Sequence, residues 1–331
     1  MRARWICIAV GIIVSAALAD GLHHAAGAQP EKVITIRLSW KAKGEFAPLF
    51  VAVQKGFYER HGVKVRVLEG TGAGPTLTAL ANGNDQFAYV GAIETAQGIA
   101  QGMPILMVAN YIHRSPMVLA SFEPLQTPRD LEGKSIGTSP QDTFQRIWEA
   151  FARANGVDAG KVRMVNLDPS ARLTQFLQGR VDVLSAFYTN EIPIVYARSA
   201  RPLHILWVAD YGFNILGHGL VTTRKFAEQN PQVVRAVVAG TTEGFDYTLR
   251  HPAEAADLVI KLFPEALDRE TTPLQISSML QLLHTKAAAG HPLGWNSEEE
   301  WRRTIAILSR GGLVRGVESA SAYYTNRYVG Q

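Results

Sequence analysis

The stretch from Ile34 to Tyr58 limits the fold more than any other part of the chain. Ile34, Ile36, Leu38 and Trp40 alternate with Thr35, Arg37 and Ser39, the two-residue period of a half-buried strand. Phe46, Leu49, Phe50, Val53 and Phe57 then recur at helical spacing, and Gly56 and Gly62 punctuate the end. A strand ending at Trp40, a short loop carrying Glu45 and a helix opening near Phe46 form the repeating unit of open α/β sheets. Ligands of such sheets sit beyond the carboxyl ends of the strands. Trp40, Glu45 and Phe46 occupy that place.

The residues before this unit read as a leader. Met1–Arg4 is basic, Trp5–Ala19 is apolar and Ala26-Gly27-Ala28 has the small-x-small cleavage pattern. This predicts a secretory signal peptide over residues 1–28, cut before Gln29, and export to the periplasm. The alternative is an N-terminal anchor, but the apolar run is shorter than the roughly 20 residues that span a bilayer. The single cysteine, Cys7, lies inside the leader. The mature chain is therefore expected to use no disulfide, no thiolate nucleophile and no cysteine-based zinc site. The net charge of +4 falls to about +3 without Arg2, Arg4 and Asp20. The signs are interspersed, with no basic cluster of the kind that binds nucleic acid. About 300 residues suffice for two lobes with real cores.

The chain then repeats the strand-then-helix theme. Lys64–Leu68 reads as a strand, and Gly70-Thr71-Gly72-Ala73-Gly74-Pro75 leads into a helix over 76–81. The glycine-rich turn has two readings: a tight turn, or backbone N–H groups turned toward a ligand. It is not a dinucleotide fingerprint, because Pro75 stands where glycine is needed. Asp85–Gly91, Pro104–Tyr111, Met117–Ser121, Lys134–Thr138, Lys161–Asn166, Val181–Phe187 and Leu203–Ala209 read as further strands, with helices between many of them. After Leu220–Arg224 the pattern turns helical over 231–249, 252–263, 273–288 and a final helix capped by Ser297. The expected architecture is α/β and two-lobed. Residues 29–120 with 213–331 make lobe 1, and 121–212 make lobe 2, with crossings near 120 and 212. A ligand held between two such lobes is enclosed by hinge motion.

Several stretches resemble a known family. Trp40 to Gly62 is similar to the W-x-x-x-(G)-E-F-A…K-G-F-Y-x-x-x-G pattern of exported solute-binding proteins of nitrate/sulfonate/taurine/pyrimidine-type ABC transporters. Asp130–Gly137 resembles their D-L-x-G-K-x-I-G, and Asp210-Tyr211-Gly212 their D-Y-G after a strand. Tyr188-Thr189-Asn190-Glu191 is similar to the Y-x-N-E-P of members that bind thiamine-pyrimidine precursors, although Ile192 separates Glu191 from Pro193. The resemblance implies a type II periplasmic-binding-protein fold and delivery of a small solute to an inner-membrane permease by a monomer. The related fungal thiamine-pyrimidine synthases share the fold and are enzymes. Their cofactor-bearing lysine would fall at Val90 and their sacrificed histidine at Glu94, and no cysteine run exists here.

The ligand candidates follow from these positions. Trp40 would stack on a planar ligand, or else close the sheet edge as a core residue. Glu45 and Glu191, each at a strand-to-helix junction, would accept hydrogen bonds from a heterocycle's amino groups, or else serve as helix N-terminal acids. Tyr188 and Asn190 flank Glu191. Tyr211 follows a buried strand and either closes the cleft or packs at the hinge. Phe46, Thr71, Gly72, Tyr89 and Gly91 complete the lobe 1 set, and Ser139 and Gln141 stand at a lobe 2 helix start. The histidines of the mature chain, His218 among them, lack metal spacing and read as surface or core residues. No catalytic group, metal site or cofactor is expected. Acidic and aromatic candidates favour a planar aminopyrimidine-like solute. Sulfonate, nitrate or taurine would call for Arg or Lys anchors, for which Lys41 and Lys43 are the nearest. A synthase-like enzyme and a sensor that signals to a membrane receptor are the rival readings.

Overall fold

The computed structural model describes residues 33–139, 142–315 and 319–330. The expected signal peptide and Gln141 lie outside the described residues. Among the described residues, ten strands form two mixed sheets of five. The first contains β1 (Ile34–Leu38), β2 (Val65–Leu68), β3 (Phe87–Gly91) and β4 (Ile105–Asn110). The second contains β5 (Met117–Ser121), β6 (Ser135–Thr138), β7 (Arg163–Asn166), β8 (Val183–Phe187) and β9 (His204–Trp207). The chain then returns to the first sheet as β10 (His218–Thr223).

The strand orders are β2-β1-β3-β10-β4 and β7-β6-β8-β5-β9. β1 runs parallel to β2 and β3, and β6 runs parallel to β7 and β8. In each sheet the strand that follows a passage from the other sheet is antiparallel to both its neighbours: β10 against β3 and β4, β5 against β8 and β9. The passages are therefore 111–116 and 208–217. The first comes a few residues before the expected position near 120, because β5 already pairs within the second sheet. The passages are tied together. Asn214 Oδ1 accepts from Ser115 N at 2.8 Å, Gly217 N donates to Ile112 O at 2.8 Å, and Arg114 grips Asp210 with one terminal nitrogen at 2.9 and 3.0 Å.

Alternation along the strands sorts side chains into separate cores. Ile34, Ile36 and Leu38 pack on one side of the first sheet with the helices Ala47–Gln54 and Pro231–Arg250. Ala88, Val90 and Met107 face the other way. They share one cluster with Leu119, Ile136 and Val183 of the second sheet and with Trp301, Ile307 and Leu308 of the helix Glu298–Arg310. Val118, Leu184 and Ala186 face a third cluster on the far side of the second sheet. The shared cluster makes the chain from Val33 onward one compact unit.

Some expected elements end early. The first strand stops at Leu38, and the helix expected over 273–288 stops at Leu280, with a separate 3-10 turn at Lys286–Ala288. Past Gln281 the backbone bonds to the passage instead: Leu282 O accepts from His113 N at 2.9 Å and Arg114 N at 3.2 Å. The helix opening near Phe46 is split. A 3-10 turn Gly44–Phe46 precedes Ala47–Gln54, and Gly56, left-handed at φ 68°, separates the short helix Phe57–Arg60.

Candidate functional site

The turn Gly44–Phe46 carries the site's first two side chains into the space between the sheets. Gly44 is needed there, since a Cβ would lie 2.6 Å from Thr272 O, and its N–H donates to Gln275 Oε1 at 2.9 Å. That contact seats the turn on the helix Thr272–Leu280. Phe46, 1% exposed, meets Tyr89 edge-on at 6.0 Å and His218 at 6.1 Å. Tyr89 and His218 stand on the paired strands β3 and β10, and their rings stack at 5.5 Å and 22°. Ser39 Oγ lies 3.2 Å from His218 Nε2, which fixes the imidazole further. Three rings thus form one wall.

The rest of the lining comes from the turn after β8, the first passage and the helix Thr272–Leu280. Thr189 Oγ1 donates to Glu45 Oε2 at 2.5 Å, a bond that spans the two sheets' halves. Ile112, Pro116 and Met279 complete the lining of a cavity of about 10 Å³, room for about one water-sized group. The Tyr89 hydroxyl is buried and has no hydrogen-bond partner among the described residues. Burial first, then the neighbouring Tyr111 and Glu45, hold its phenol well above the usual tyrosine pKa, so it stays a donor.

Of the expected residues, Glu45, Phe46 and Tyr89 meet at this cavity. Trp40 is 47% exposed, which removes the core reading and leaves its ring at the surface two residues beyond β1. Thr71 is exposed, and Gly72 adopts φ 142° ahead of the helix Ala73–Ala81. The glycine-rich turn is braced on β1: a Cβ on Gly70 would lie 1.9 Å from Leu38 O, and Thr76 Oγ1 donates to that carbonyl at 2.9 Å. Gly91 ends β3, where a Cβ would come within 2.5 Å of Glu94 Oε2.

Among the described lobe 2 candidates, none lines the cavity, and Glu191 belongs to a buried charge cluster. Arg172 pairs with Asp142 and, at 2.7 Å, with Glu191 Oε1; the three side chains are 12%, 10% and 14% exposed. Glu191 Oε2 accepts from Phe187 N at 2.9 Å, so both its oxygens are engaged. Asp142 caps the helix Thr143–Ala154 and accepts from Ser185 Oγ at 3.1 Å. Ser139 lies beside this cluster in the chain, buried, its Oγ without a partner among the described residues. Asn190 precedes the helix Glu191–Arg198 without a side-chain cap bond. Tyr188 packs on Trp207 at 4.5 Å. Tyr211 donates its hydroxyl to Gln126 O at 2.8 Å, a packing role away from the cavity.

Thr189, His218, Ile112, Pro116 and Met279 join the cavity without having been singled out. Thr189 sits inside the Tyr188–Glu191 motif, but its outward direction depends on the chain's turn there. His218, flanked by Gly217 and Gly219, carried no metal spacing, and only strand pairing brings it to Tyr89. Among the described residues no group of three or more His, Cys, Asp or Glu side chains is placed to hold a metal. No helix there is long and apolar enough to cross a membrane.

Residues 43–255 match the family described as NMT1/THI5 like. The chain belongs to the NMT1/THI5-like family. It is 27% identical over 322 residues to the riboflavin-binding protein RibY of Chloroflexus aurantiacus, covering 92% of this chain and 88% of that one. The formylaminopyrimidine-binding protein of Halalkalibacterium halodurans is 20% identical over 281 residues, covering 84% of each. A Legionella pneumophila relative named 4-amino-5-hydroxymethyl-2-methylpyrimidine phosphate synthase is 21% identical over 304 residues, covering 89% of this chain and 92% of its own. In three dimensions the periplasmic aliphatic sulphonate binding protein SsuA of Escherichia coli superposes with a TM-score of 0.68 at 18% identity, covering 92% and 93% of the two chains. The fold of this NMT1/THI5-like chain is thus that of the periplasmic binding proteins, as its motifs predict.

Proposed function

We propose that this protein is the exported solute-binding component of an ABC importer. It captures a small planar solute, an aminopyrimidine-like thiamine precursor by preference, between its two lobes and passes it unaltered, as a monomer, to an inner-membrane permease. The observation that carries this reading is the cavity between the sheets, walled by Phe46, Tyr89 and His218 and supplied with the polar groups of Glu45 and Thr189. Aromatic walls with a few placed polar groups are the ordinary chemistry of small-ligand sites. The relatives named for riboflavin and formylaminopyrimidine agree with a flat nitrogen heterocycle.

A sulfonate or nitrate ligand is disfavoured. The cavity lining contains no Arg or Lys, Arg172 is neutralised by two carboxylates, and Lys41 lies 3.6 Å from Glu69. The synthase reading draws on the Legionella relative, but Val90 and Glu94 stand where the resemblance would put the lysine and histidine of the fungal enzymes. Val90 is wholly buried on β3 and has no titratable group. The cavity is too small for a ring, so the lobes must part for entry and settle on the ligand afterwards, and a ligand favours whichever state binds it better.

A thermal-shift panel of aminopyrimidines, flavins, sulfonates, taurine and nitrate tests the reading. A bound ring is expected to raise Tm with the logarithm of its concentration by mass action, the added stability reaching about 2.7 kcal/mol at a hundredfold excess over Kd. A shift with sulfonates or nitrate alone would overturn the ligand class, and conversion of the ring by the purified protein would overturn transport. Amino-terminal sequencing of protein from the periplasmic fraction should begin at Gln29.

A further inference from the structure

Two residues lining the cavity, Tyr89 and Glu45, each keep an oxygen without a hydrogen-bond partner among the described residues. Tyr89 is 1% exposed and its hydroxyl has no partner among the described residues, although burying an unanswered hydroxyl is costly. Glu45 lines the same cavity, and among the described residues its bond to Thr189 uses one oxygen only. The stacked rings of Tyr89 and His218, with Phe46 edge-on to both, leave little freedom for the phenol to turn away.

We infer that Tyr89 and Glu45 read one edge of the bound ring, an acceptor beside a donor. The Tyr89 O–H donates to a ring nitrogen or carbonyl oxygen, and the free Glu45 oxygen accepts from the adjacent N–H. The other Glu45 oxygen keeps Thr189. This deepens the proposed function and rests on it. The amidine edge of an aminopyrimidine and the imide edge of an isoalloxazine both carry that pattern, whereas sulfonate and nitrate carry acceptors only. Because one carboxylate holds both the ligand and the opposite lobe, recognition of the edge and closure of the cleft are coupled: an acceptor-only ligand would repel the group that closure needs.

The test is calorimetric titration of the full mature chain with an aminopyrimidine and its dimethylamino counterpart, and with an isoalloxazine and its counterpart methylated on the imide nitrogen. Wild type, Glu45→Gln and Tyr89→Phe are compared after each is shown to melt cooperatively. Wild type is expected to lose roughly 10- to 100-fold in affinity when the N–H is methylated, the range for a hydrogen bond to a charged group. That loss should shrink in Glu45→Gln, because the neutral amide weakens the same contact that the methyl group removes. A purely steric methyl penalty would stay constant. Tyr89→Phe should weaken both parent rings while leaving the methyl penalty in place. Tight binding of a parent ring with no methyl penalty in wild type overturns the inference and leaves the proposed function standing, even if a variant fails to fold. An unchanged penalty in a folded Glu45→Gln does the same. Failure of wild type to bind any of the rings removes both.

Discussion

Arg172 separates two uses of a buried charge. A lone guanidinium in a cleft would recruit an anion, but this one lies between Asp142 and Glu191 and is only 12% exposed. The cluster carries more negative than positive charge, and its members cap one helix and open another. Glu191 thus holds the end of β8 through Phe187 N, and it does not line the cavity described above. Breaking a buried pair strands the remaining charges, at a cost of about 3–5 kcal/mol. Arg172→Met is expected to lower the unfolding free energy by an amount of that order, read as a lower urea midpoint at an unchanged m-value, and to leave no gain in affinity for any anion. A midpoint within error of wild type would mean that the two carboxylates do not depend on the guanidinium. Glu45 is the contrasting case: it is answered by a hydroxyl, not a cation, and its other oxygen has no hydrogen-bond partner among the described residues.

At the scale of elements, the parallel pair β6 and β8 is clamped at its start by Asp182. Its Oδ2 accepts from Ser135 N at 2.7 Å and Ser135 Oγ at 2.6 Å. These bonds, side chain first and backbone second, hold the Asp182 carboxyl below its ordinary pKa. A depressed carboxylate adds stability that is complete above the unfolded value of about 3.9 and is lost as pH falls through the folded value. Wild type should therefore be more stable than Asp182→Asn at pH 7, and the difference in Tm should close in acid below about pH 4. A gap that stays constant down to pH 3 would show that the carboxylate's charge contributes nothing. The strands themselves were legible, because alternation at Ile34–Leu38 and the apolar run at 105–110 mark half-buried and fully buried strands directly. The reversal of β5 and β10 was not, since direction depends on where the chain changes sheets. The site divides in the same way. Glu45, Phe46 and Tyr89 could be picked out as residues at or near the ends of strands that face a cleft. Thr189 and His218 reach their partners across 144 and 179 residues, contacts that leave no local pattern.

For the whole molecule, the question is how two sheets that share a core also part for a ring. The shared cluster and the helix Glu298–Arg310 stand on one side, and the paired passages 111–116 and 208–217 run between the sheets. His113 of the first passage reaches Glu300 of that helix at 2.7 Å, with both side chains buried. Motion confined to the cavity side can pivot on these ties without opening the shared core, a hinge of the kind that closes clefts in two-lobed proteins. On the cavity side, among the described residues, Thr189 bonds to Glu45 across the halves, a hydrogen bond to a charged acceptor worth about 1.5–3 kcal/mol. Thr189→Val keeps the shape and removes the donor. The ligand-free variant is expected to show a larger radius of gyration by small-angle scattering than ligand-free wild type, because the closed state loses a stabilising contact that the open state never had. Its core should be untouched, so the urea midpoint should move by less than in Arg172→Met. Identical scattering from the two ligand-free proteins would mean that the cavity-side bond does not set the balance between open and closed forms, and that the shared core alone holds the halves together.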